Sequence, residues 1–93
     1  MTVGKTPAAK TMLVGDDKIR VASENIYTVE NATVPVIFDI SDPKSLVTMT
    51  LDKYSCIIKA NEKNKLGSFT LTADHNGTKF TKTIQVVSLW QVI

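Results

Sequence analysis

A chain of 93 residues, 43% hydrophobic and 22% charged, has the size and composition of one globular domain rather than a disordered tail. Its formal charge of +2, with lysines scattered and no long run of like charge, argues against nucleic acid as a partner, which needs a concentrated basic face. One cysteine, Cys56, excludes an internal disulfide and a multi-cysteine metal site, so packing and strand pairing must hold the fold.

The opening "MTVGKTPAAKTMLVGDD" contains no apolar block long enough for a signal peptide or a membrane span. The reading is of a protein held inside the cell until assembly or lysis, or of a piece cut from a longer chain. Residues 1–17 are taken as an N-terminal segment in which "TMLV" adds an edge strand, and residues 18–93 as the domain proper. "KIRVA" and "IYTV" are two short strand candidates, separated by the polar "SEN". "VPVIFDI" places Val34, Val36, Phe38 and Ile40 on one face and Ile37 and Asp39 on the other, the period of a half-buried strand. Pro35 has no N–H for a ladder, so this strand begins after it or lies at a sheet edge.

"SDPK", residues 41–44, is turn chemistry, and "LVTMTL" follows with Val47, Met49 and Leu51 on the inner face. "DKYS" is the next reversal. "CIIKA" sends Cys56, Ile58 and Ala60 inward and Lys59 outward, and "NEKNK", residues 61–65, is a solvated loop. "SFTLTA" alternates Phe69, Leu71 and Ala73 against Ser68, Thr70 and Thr72. Asn76-Gly77 is the strongest short-range hairpin signal, because a type I′ turn requires positive φ at both central residues. In "KFTKTIQVV", Ile84 and Val86 face the core. Lys82 shares their parity and fits that face poorly, so a bulge or loose pairing is expected near residues 80–82. With no helical period anywhere, about seven short strands at near-regular spacing indicate an all-β, two-sheet sandwich.

Chemistry-bearing residues are few. His75, beside a hairpin turn and without a ligand or base partner at useful spacing, reads as solvated. Cys56, in an alternating apolar run, reads as a buried, inert thiol. A Ser-His-Asp site would have to use His75 on an exposed tip. "DISD" and "GDD" offer carboxylates for calcium, but their spacing matches no defined loop. "NAT" and "NGT" match the glycosylation sequon and also make sense as turns. Tyr27 and Trp90 read most simply as a strand filler and a cap on the end of the sandwich. The alternative is a pair of exposed rings that stack on sugar or dock on a neighbouring subunit. No catalytic, metal or cofactor residue is assigned, and the chain is read as no enzyme.

"GSFTLTA", a short turn and "TKTIQVVSL" together resemble the closing hairpin of bacterial Ig-like (BIG2-like) domains, in which a glycine opens the first strand and alternating valine and isoleucine end the last. Gly67, Thr70, Leu71, Thr72, Ala73, Ile84, Val86 and Val87 carry the match. "VIFDISD" is similar to the family's central strand, with Phe38 where many members have tryptophan. "CIIKANEKNKLGSFTLTA" and "VVSLW" look closer still to Ig-like modules on structural proteins of tailed phages and prophages of Gram-positive bacteria. The resemblance covers about residues 18–90. The N-terminal third and the apolar "WQVI" depart from the pattern.

The resemblance implies a non-enzymatic accessory module of a phage virion protein of tail or capsid, acting as a spacer or as a weak adhesin toward cell-surface carbohydrate. Its implied partners are neighbouring domains or subunits and host carbohydrate, with no nucleic acid and no membrane insertion. The alternative is an adhesin or accessory domain of a bacterial cell-surface or wall-acting protein. A third reading is a packing module that contacts neighbouring virion subunits through Trp90.

Overall fold

A computed structural model of the protein describes residues 11–88. Its strands are β1 (Met12–Val14), β2 (Lys18–Arg20), β3 (Glu24–Glu30), β4 (Ile37–Ser41), β5 (Val47–Leu51), β6 (Ser55–Ala60), β7 (Gly67–His75) and β8 (Thr78–Val87), with no helix among the described residues. They form two four-stranded sheets in the orders β1-β3-β6-β5 and β2-β8-β7-β4. That is the A-B-E-D and G-F-C arrangement of an Ig-like sandwich, with the first strand split between the sheets. β1 pairs antiparallel with β3, and β2 crosses over to pair parallel with β8. The fold is therefore an Ig-like β-sandwich of eight strands among the described residues. "TMLV" supplies one of them as the edge of the first sheet.

Alternation puts the expected residues in the core. Cys56, Ile58, Ala60, Phe69, Leu71, Ala73, Ile84 and Val86 are all buried, with Phe38, Val36, Tyr27 and Val29 packed among them. Ile37 points outward and is 71% exposed. β4 begins after Pro35 and is also the outer strand of its sheet, so both options read from proline hold. The hairpin is as expected. Asn76 and Gly77 have φ of 52° and 90°, and His75 pairs with Thr78 across a two-residue loop.

Three expectations are corrected. β7 and β8 pair without interruption from Gly67↔Val86 to His75↔Thr78, so no bulge forms at residues 80–82. The alternation continues because Lys82 Nζ donates to Asp17 Oδ1 at 2.7 Å and Phe80 packs at the core's margin. Leu51, expected inward, is 61% exposed, because it ends the outer strand of the first sheet. The reversal placed at "SEN" falls at Val21–Ala22 instead, and Glu24 and Asn25 belong to β3. Ala22 adopts φ of 64°, and Ser23 Oγ donates to the Arg20 carbonyl to close the turn.

Gly15 is where the chain leaves the first sheet for the second, and its φ is +155°. A Cβ there would lie 2.1 Å from Tyr27 Cδ2, so the buried Tyr27 ring occupies the space that a side chain would need. The register also orients the module. Met12 pairs with Glu30 near the Asn76-Gly77 turn end, whereas Val21, Ala22, Leu46, Asn61 and Val87 meet at the other end. β1 and β2 run in the direction of β8, so the described chain enters at one pole and leaves at the opposite one.

Candidate functional site

Among the described residues, none of the candidates is brought into a catalytic pair. His75, expected to be solvated, is buried to 9% exposure and is corrected to a structural role. Its Nε2 accepts the Thr33 backbone N–H at 3.0 Å, tying the segment before β4 to the end of β7. This contact spans 42 positions, which is why no spacing in the chain announced it.

Cys56 is wholly buried on β6, and burial pushes its thiol up to about 11. A thiol that keeps its proton at neutral pH is a poor nucleophile, in line with the inert reading. Tyr27 is a strand filler with a polar tip. Its ring is fully buried and its hydroxyl donates to the Asp16 carbonyl at 2.6 Å. Burial first, then the charges of Asp16, Cys56 and Asp17, hold the phenol well above its usual range. Trp90 lies outside the described residues.

Two of the carboxylates considered for calcium have other partners. Asp42 accepts the Leu46 and Val47 backbone N–H groups at 2.9 and 3.0 Å, which shapes the "SDPK" turn. Asp17 takes Lys82. No three His, Cys, Asp or Glu residues gather as a metal site among the described residues. The asparagines of both sequons, Asn31 and Asn76, occupy exposed positions with positive φ, consistent with their turn reading.

What the fold does assemble is a pair of open grooves at the exit pole. One, of about 560 Å³, runs between the start of β5 and the loop after β6, with Lys59, Lys63, Lys65, Asn61 and Thr48 among its walls. The other, of about 380 Å³, lies at the second sheet and is lined by Lys18, Lys44, Gly67, Ser68 and Gln85. Leu46 stands between them: it lines the first groove, and its Cδ1 reaches within 3.3 Å of where a Cβ on Gly67 would sit. Lys44 folds over the same glycine, its Nζ 3.4 Å from that point.

The loop carrying Lys63 and Lys65 is held rigidly by one side chain. Asn61 Nδ2 donates to the Leu46 and Lys65 carbonyls, each at 2.9 Å, and Oδ1 accepts the Lys63 and Lys65 N–H groups at 3.0 and 2.9 Å. All of that amide's ordinary hydrogen-bonding capacity is thereby used on backbone. Asn61 was read only as part of a solvated loop. An asparagine opening a polar loop after a strand is the one local signal that could have marked it.

No known protein-family model matches the chain, and no curated protein matches it. Among solved structures it is similar to one described as the titin domains Z1Z2 in complex with telethonin, at 14% identity and a TM-score of 0.45. That match covers 86% of this chain, which spans about half (49%) of the length of the other.

Proposed function

We propose that the chain is a non-enzymatic Ig-like module of a larger structural protein. It acts as a spacer that carries weak, repeated surface contact rather than chemistry. The observation that carries this reading is the placement of entry and exit at opposite poles of the sandwich. A module of this form extends a parent chain by one domain length and leaves both sheet faces and the loops free for contact. Weak contacts of this kind gain strength when many copies share one particle. The engagement of His75 by Thr33 and the burial of Cys56 support the absence of catalysis, since each residue already has a structural task.

The setting proposed is a virion protein of a tailed phage, on the strength of the closing-hairpin resemblance at Gly67–Ala73 and Ile84–Val87. Cell-surface carbohydrate or protein would be the material contacted. Deleting residues 11–88 from the parent should leave particle assembly intact and reduce attachment to host cells or wall fragments. Assembly that fails on deletion would replace the adhesive reading with one of packing between subunits. Unchanged attachment would remove the adhesive reading altogether.

A further inference from the structure

We infer that the exit pole is a binding site for a linear, phosphate-bearing polymer, such as a polyol phosphate. The lysines are scattered in sequence but not in space. Lys18, Arg20, Lys44, Lys59, Lys63 and Lys65 gather at this pole. Against them stand Glu24, Asp42 and Glu62, leaving an excess of three positive charges. The remaining described residues hold three lysines against six acids, the opposite imbalance. Two of the pole's acids are already engaged, Asp42 by backbone N–H groups and Glu62 by Lys59 at 3.6 Å.

Charge alone would suit any anion, and the layout of the pole narrows the class. The cations flank two grooves on either side of Leu46, with Lys44 lying over Gly67 between them, a layout for a chain rather than a single ion. Five of the six cations are lysines, which hold phosphate oxygens as point charges with three donors each and impose no planar geometry on the ligand. Asn61 fixes the backbone that presents Lys63 and Lys65, which lowers the ordering cost of binding.

This site deepens the surface-contact reading by naming the ligand class, and it rests on that reading only for its biological setting. Free polymer tests the site, whereas deletion from the parent protein tests the reading. The probes are polyphosphate and poly(glycerol phosphate), titrated against the full 93-residue chain by calorimetry at about 50 and about 200 mM salt. Both should bind, more weakly at the higher salt. The exposed pair Lys63→Glu/Lys65→Glu should lose about tenfold or more in affinity and show a shallower salt dependence. The control pair Lys53→Glu/Lys79→Glu, at the other pole, should bind nearly as the parent does, with thermal unfolding checked for every variant. The inference is overturned by absent binding at low salt, or by equal losses in the two pairs. Tighter binding of single-stranded oligo-dT than of either probe would reassign the pole to nucleic acid.

Discussion

Gly15→Ala is the sharpest test of how the first strand is divided between the sheets. Two costs act at this position. An L-residue at φ of +155° is strained by about 1–3 kcal/mol. The new methyl would also sit 2.1, 2.5 and 2.9 Å from three carbons of the Tyr27 ring. That ring is fully buried and anchored by its hydrogen bond to Asp16, so it cannot swing aside without breaking the contact or opening the core. Overpacking of this kind costs a further 1–3 kcal/mol or so. The total, about 2–6 kcal/mol, is a large share of the roughly 5–15 kcal/mol that keeps a domain folded. Urea denaturation of the wild type and variant, with the slope checked for constancy, measures the loss directly. In a Tyr27→Leu background the overlap disappears while the backbone strain remains, so the double-mutant cycle should show coupling of about 1–3 kcal/mol. A single-variant loss below about 0.5 kcal/mol, or no coupling, would refute the close approach of Tyr27 to the crossover.

Gly77 isolates the backbone term. Nothing lies within 4 Å of a Cβ there, so Gly77→Val should destabilise by about 1–2 kcal/mol through its φ of +90° alone, read by the same urea assay. His75→Leu should cost about 1–3 kcal/mol, because it leaves the Thr33 N–H without its acceptor. Restoring an acceptor with His75→Gln should recover part of that loss. Cys56 should react slowly with thiol reagents in the native protein and quickly in urea, and fast native labelling would contradict its burial. Its folded pKa is raised from 9.0 to about 11, so the associated stability is fully present below about pH 9 and is lost as pH rises through about 11. The upward shift of the Tyr27 phenol adds to the alkaline loss. Denaturant midpoints measured from pH 7 to pH 11 should fall only in the upper part of that range, and less so in Cys56→Ala.

The inward and outward faces of β4, β6 and β7, and the Asn76-Gly77 hairpin, were legible in the chain alone. Side chains two residues apart share a face, and a two-residue turn needs positive φ, whatever the rest of the molecule does. Both facts are local, so sequence determined them, together with the all-β class that follows. The tertiary structure decided what depends on distant partners. The parallel pairing of β2 with β8 joins residues 18–20 to residues 85–87, and no pattern within either segment encodes it. Lys82 looked misplaced until Asp17, 65 positions away, came to meet it. His75 looked solvated until Thr33 covered it. The lysines, too scattered in sequence to suggest a charged partner, gather into a basic pole only because the turns after β2, β4 and β6 fold to the same end of the sandwich. Periodicity reports which side of a strand is buried, whereas register, topology and the electrostatic surface arise from contacts between residues far apart in the chain.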